Sequence, residues 1–188
     1  MDIALLVLIL GVTFNIFVGL LVSLKSHDRA ARSLGLVAMG LIVWEVANYF
    51  ADGGAGFGDA LFWNRLTFVG PLLVMIPSYY FVYFLRGETI GKLRQAILLL
   101  GTAVIGALCF TSLVVEGVAP RVVGGEVVGY NPEYGSLYGV YIAWLLSLVV
   151  LHAINIFKAS STNDDRYEAQ MHIIRIGSLI AIAIPFFT

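Results

Sequence analysis

Apolar residues along this chain fall into long blocks separated by short polar stretches. Five blocks of about 18 to 25 residues, at 3–24, 34–51, 61–85, 95–115 and 138–157, are followed by a sixth at 173–188. A bilayer core of roughly 30 Å takes about 20 helical residues to cross, and lipid offers no partner to bare backbone, so each block must close its hydrogen bonds internally as a helix. The pattern predicts an all-α membrane protein: a six-span helical bundle forming a single transmembrane domain over 1–188. The sixth block has only 16 residues, about 24 Å of helix, and ends on Pro185, Phe186, Phe187 and Thr188 without a polar anchor. It reads as part of something longer.

One linker interrupts the helical pattern. Between Glu116 and Gly135 the order Val122, Val123, Gly124, Gly125, Glu126, Val127, Val128 places a Gly-Gly turn between β-branched runs. This predicts a short extracellular β-hairpin at about 120–130, between helices four and five, lying across the mouth of the bundle or merely covering helix ends. The linker 158–170, with Ser160, Ser161, Thr162, Asn163, Asp164 and Asp165 ahead of Arg166, reads as a solvated helix start.

Composition narrows the class. Apolar residues make up 60% and charged residues 12% of the chain, about half the charged share of a soluble domain, which excludes a soluble enzyme. Asp2 precedes the first block, which is too long for a signal-peptide core and reads as a retained span. The single Cys109 offers no disulfide and no thiolate metal site, and reads as packing.

Charge sets an expected topology. Lys25, Arg29 and Arg32 follow the first span, Arg86, Lys92 and Arg94 the third, and Lys158, Arg166 and Arg175 the fifth. Only Arg65 and Arg121 fall on the opposite side, among Asp2, Asp52, Asp59, Glu116, Glu126 and Glu133. By the positive-inside rule, the chain is a multi-pass cell-membrane protein with its N-terminus outside.

Ionisable groups inside spans point to sites, because they are costly in hydrocarbon. Glu45 lies about 9 Å below the outer end of the second block and Arg65 about 6 Å inside the third, on consecutive antiparallel helices. An ion pair between Glu45 and Arg65 is expected. Trp44, Asn48 and Tyr49 lie within one turn of Glu45, and Trp63, Asn64 and Phe68 within one turn of Arg65. Together these eight residues form a candidate ligand-pocket wall, or else an aromatic belt around an interhelical clamp.

Other polar positions carry less. Tyr79, Tyr80 and Tyr83, and Tyr134, Tyr138 and Tyr141, fit interfacial belts, Asn15 fits an interhelical hydrogen-bond donor, and Pro71, Pro77 and Pro185 fit kinks. Gly135 and Gly139 have small-xxx-small spacing. His152 and His172 have the type and place of axial haem ligands, although His172 sits beside a polar linker. No lysine stands inside a span to carry retinal, and no nucleophile elbow, paired aspartates or metal-ligand cluster occurs within the spans. No cofactor and no metal are expected, and no enzymatic activity of these residues.

The order Phe62, Trp63, Asn64, Arg65, Leu66, Thr67, Phe68, Val69, Gly70 and then Pro77, with Arg166, Tyr167, Gln170, Gly177 and Pro185 downstream, resembles the N-terminal seven-helix sensor region of bacterial and archaeal membrane histidine kinases. The resemblance implies a sensing module whose first six of seven helices are present. The seventh helix, the cytoplasmic dimerisation helix, its phosphoacceptor histidine and the ATP-binding domain have no counterpart here, so no catalysis carries over. Trp63, Arg65, Phe68, Gly70, Pro77, Arg166, Gln170 and Pro185 are the matching positions.

The leading expectation is a membrane-embedded input module that binds a small or lipidic ligand from the outer side, in a cavity bounded by the second, third and fifth helices and the hairpin, and passes a helix shift to a cytoplasmic output. The alternative is a non-catalytic subunit scaffolding a larger complex, and a lesser one is a transporter or haem-binding bundle. Expected partners are the lipid bilayer, a small-molecule or lipid ligand, and a second copy or larger membrane complex, with no nucleic acid.

Overall fold

A computed structural model of the chain describes residues 3–25, 28–54 and 57–158. They form α1 (Ile3–Lys25), α2 (Arg29–Tyr49), α3 (Phe57–Leu85), α4 (Lys92–Cys109), strands β1 (Val115–Val123) and β2 (Glu126–Tyr134), and α5 (Tyr138–Lys158). All five helices are long and apolar enough to cross a membrane. The sixth block, the linker before it, His172 and the downstream half of the family-like pattern lie outside the described residues.

Element ends depart from the apolar blocks where local chemistry overrides hydropathy. The second helix begins at Arg29 rather than 34, because the Asp28 side chain accepts a hydrogen bond from the Ala31 amide at 2.6 Å and satisfies an orphan donor of the first turn. The third begins at Phe57 rather than 61. The fourth stops at Cys109, six residues short of the apolar block's end at 115. The hairpin starts at Val115 and ends at Tyr134, wider than 120–130, since its first valines continue the apolar run into a strand. Gly124 and Gly125 turn it with φ of 63° and 92°, the positive values that a two-residue hairpin loop requires.

Helix α3 is the hub, packing on α2, α4 and α5, while α1 packs on α2. Close approach between α2 and α3 depends on small residues. A Cβ on Gly40 would lie 2.8 Å from the Leu73 carbonyl oxygen of α3. Pro77, four residues on, has no N–H to give that carbonyl, so the α2 backbone covers a group the proline leaves without its helical donor. Likewise the Trp44 ring lies on Gly70, where a Cβ would come within 2.5 Å of it.

The tyrosines do not all belong to belts. Tyr79 and Tyr141 are 3% and 2% exposed, and the Tyr141 hydroxyl donates to the Phe68 carbonyl at 3.0 Å. They pack in the core instead, with Leu72, Ile76, Leu98, Ile105 and Leu148. Cys109 is buried there too, its thiol donating to the Ile105 carbonyl at 3.3 Å. Gly135 meets the Ser112 and Leu113 carbonyls rather than a neighbouring helix, and a Cβ on Gly139 would meet nothing within 4 Å.

At the other end of the bundle, Arg86 staples α3 to α5. Its guanidinium donates to the Asn155 side chain at 2.7 Å and carbonyl at 3.2 Å, and pairs with Glu88. The Asn155 amide in turn donates to the Tyr79 carbonyl at 3.2 Å.

Candidate functional site

Helix α1 exposes large side chains such as Val7, Leu10, Phe14 and Phe17, while its less exposed side carries Gly11, Asn15 and Gly19 among half-buried Leu8, Val12 and Val18. Gly11, Asn15 and Gly19 recur at four-residue spacing, so they lie along one face toward α2. Gly19 sits over Ala38, and Gly11 over Glu45, whose carboxylate oxygens would lie 3.0 Å from a Cβ there. Asn15, 7% exposed, donates its side-chain amide to Glu45 Oε1 at 3.0 Å. Asn15 is thus an interhelical donor.

The expected Glu45–Arg65 ion pair does not form. Glu45 leaves α2 on the side facing α1, whereas Arg65 leaves α3 toward the hairpin, and two helices in antiparallel contact share only one face of each. Arg65 instead donates from Nε and Nη2 to the Val115 carbonyl at 3.3 and 3.0 Å. It fastens the first residue of β1 onto α3. Among the described residues it has no carboxylate partner, so its charge is met by a carbonyl dipole.

The other candidates separate into two groups. Asn48 and Tyr49 lie with Glu45 on one cavity. Trp44 covers Gly70, Trp63 stacks on Phe50 at 4.5 Å, and Asn64 is buried and donates to the Ala60 carbonyl at 3.0 Å. Phe68 meets Tyr134, Tyr138 and Tyr141 edge-on. These four, with Arg65, pack helices and hairpin together and do not line that cavity.

The cavity measures about 620 Å³ and lies between the first half of α1 and the end of α2, within the size range of small-molecule sites. Ala4, Val7 and Leu8 supply an apolar wall, Glu45, Asn48 and Asp52 the polar groups. Its boundary is α1, α2 and the hairpin, in place of the second, third and fifth helices. Val128 of β2 closes one side. The hairpin is seated there because Gly129 lets its backbone meet the Asp52 carbonyl, and Gly53, with φ of 152°, turns the chain beneath Val128. Arg121 and Asp52 add an exposed ion pair at 4.0 Å. Glu45 Oε2 is buried and has no hydrogen-bond partner among the described residues.

Sequence reading named Glu45 but passed over Gly11 as its seat. The Gly11, Asn15, Gly19 spacing was the available signal, since a small-polar-small stripe in an otherwise bulky span marks a helix contact.

Five spanning helices, a polar seam between the first two and a hairpin covering one end define a multi-pass membrane protein. A family model described as the N-terminal 7TM region of histidine kinase matches residues 7–188, and the chain belongs to that family. That region is a membrane input module rather than the catalytic part of such kinases. No curated protein and no solved structure matches the chain.

Proposed function

We propose that this region senses a small amphiphile bearing a hydrogen-bond-donating, cationic head, taken up from the outer side into the cavity between α1, α2 and the hairpin. The observation that carries the reading is Glu45: one carboxylate oxygen is held by Asn15, and the other is buried at the cavity without a partner. Ammonium or amidinium groups suit that second oxygen, because a charge-assisted bond is about twice as strong as a neutral one. Asn48 and Tyr49 add polar contacts, and the apolar wall takes the body of the ligand. The alternation of basic linkers supports an outside N-terminus and an outside hairpin.

Signalling then requires two arrangements of the bundle with different affinity for the ligand, since equal affinity shifts nothing. The α1–α2 seam is the element a ligand at Glu45 would open or close, and the α2–α3 contact at Gly40 and Gly70 passes the change to the hub helix. The output is a cytoplasmic one.

The test uses the chain in nanodiscs with a fluorescent aryl-alkyl ammonium probe and its neutral alcohol isostere. The expected result is saturable binding of the ammonium alone, weakened about tenfold by Glu45→Gln with unchanged helix content, the worth of one charge-assisted bond. Equal binding of both probes, or no effect of Glu45→Gln, removes the reading. Topology is checked separately: Gly124→Cys should label from outside intact cells, and Ser26→Cys only after permeabilisation.

A further inference from the structure

Two cavities on a different flank of the bundle meet at Tyr80. The larger, about 500 Å³, runs between α2 and α4 over α3 and is lined by apolar groups such as Leu36, Leu72, Ile76 and Phe110. It is open sideways: Leu36, Leu73 and Phe110 on its rim are exposed. The α4 wall is cut back to Ala103, Gly106 and Ala107. Along α3 it reaches from Val69 to Tyr80, eleven helical steps or about 16 Å. That is about half of a 30 Å hydrocarbon core, the depth of one leaflet.

The smaller cavity, about 260 Å³, continues past Tyr80 at the end where α2 and α4 begin, and its lining is polar: Arg29, Thr89 and Gln95 beside Phe84 and Ile90. The Arg29 guanidinium sits 5.9 Å over the Phe84 ring, which holds the cation at the mouth. Helix α4 starts at this end, with Gly91 as its N-cap and no side-chain cap hydrogen bond, and the first-turn amides of a helix point out of its N-terminus. Arg32 and Lys92 lie at this end as well, while Arg94 is turned onto the Tyr79 and Tyr83 rings. At the junction the Tyr80 hydroxyl is buried and has no hydrogen-bond partner among the described residues.

We propose that these two adjoining cavities together bind one phospholipid with an anionic headgroup. The headgroup sits against Arg29, Thr89 and Gln95, one acyl chain follows α3 between α2 and α4, and the Tyr80 hydroxyl donates to an ester oxygen at the boundary between them. A polar end with cations joined to a one-leaflet apolar trough matches a lipid in both chemistry and length. The site lies apart from Glu45 and does not depend on the ligand proposed there.

Native mass spectrometry of the detergent-solubilised chain with equimolar dioleoyl phosphatidylglycerol and dioleoyl phosphatidylcholine tests this. The expected result is preferential retention of phosphatidylglycerol, cut about fivefold by Arg29→Gln, the worth of one cation at a leaflet surface, and kept by Arg29→Lys. Ala103→Trp, at an exposed position that tolerates bulk, should lower retention of both lipids without lowering the melting temperature. If Arg29→Gln does not fold, Ala103→Trp decides alone. Equal retention of the two lipids, an unchanged ratio in Arg29→Gln, or unchanged retention in Ala103→Trp overturns the site. Displacement by millimolar glycerol 3-phosphate would make it a free-phosphate site and overturn the lipid. Ready disulfide formation between Ala103→Cys and Ala181→Cys would place the chain's own sixth block in the trough, and overturn it too.

Discussion

Asn15 of α1 and Glu45 of α2 share a hydrogen bond of 3.0 Å over the gap left by Gly11. It links α1 to α2 directionally, and its acceptor Glu45 lines the cavity. Replacing Asn15 by Leu should cost about 1 kcal/mol, in line with interhelical hydrogen bonds in membranes. A double-mutant cycle with Glu45→Leu, read by SDS unfolding in mixed micelles, should return a coupling of about that size. Additive single effects would show that the bond does not hold α1.

Bulk at Gly11 acts on the same carboxylate by another route. Gly11→Val should displace the Glu45 side chain and reduce binding of the ammonium probe, with α1 still inserted. Isothermal titration of that variant against wild type checks this, and an unchanged isotherm means the carboxylate does not need its seat.

What a Cβ on Gly40 would meet first is the Leu73 backbone, at 2.8 Å, with the Val74 side chain farther off at 3.2 Å. Gly40→Ala should destabilise by about 1–3 kcal/mol, as overpacking does, because the Leu73 carbonyl 2.8 Å away cannot rotate aside. Shortening Trp44 should rescue Gly70→Ala, where the obstacle is a side chain, and no neighbouring side-chain truncation should rescue Gly40→Ala. Thermal melts of the four variants make the comparison.

Arg65 holds the hairpin by its fork of two donors on Val115. Arg65→Ala should leave helix content unchanged and raise amide exchange across β1 and β2, whereas a mere helix clamp would raise exchange in α2 and α3. Arg65→Lys should fall between the two, since an ammonium lacks the planar fork.

At the far end, Arg86→Ala leaves Asn155 and Glu88 without their cation. A loss of about 1–3 kcal/mol is expected from the stranded buried amide. Arg86→Ala combined with Asn155→Leu should recover part of it, as measured by the same unfolding titration.

How much of this was legible depended on whether a residue's partner was the solvent or another residue. Lipid acts on every residue of a span alike, so five membrane-crossing helices, the Gly124–Gly125 turn and the family pattern around Trp63, Arg65, Phe68, Gly70 and Pro77 could be read from order alone. Counting residues from the block ends put Glu45 and Arg65 at similar levels. Azimuth was not readable in this way. An apolar span carries bulky residues on all sides, so hydropathy does not say which face meets which neighbour, and one hundred degrees of rotation separates a pair from two strangers. Element ends at Asp28 and Val115 were set by a cap and by strand pairing, which average hydropathy passes over.

Residue order alone makes this chain a helical membrane bundle with a hairpin between its fourth and fifth helices, because those features follow from the solvent and from local backbone chemistry. Packing of the helices against one another is what turns Glu45 to Asn15, hangs Val115 on Arg65 and leaves the cavity beside α1. Those choices rest on which glycines let two backbones approach, and that is settled jointly by residues thirty to fifty positions apart.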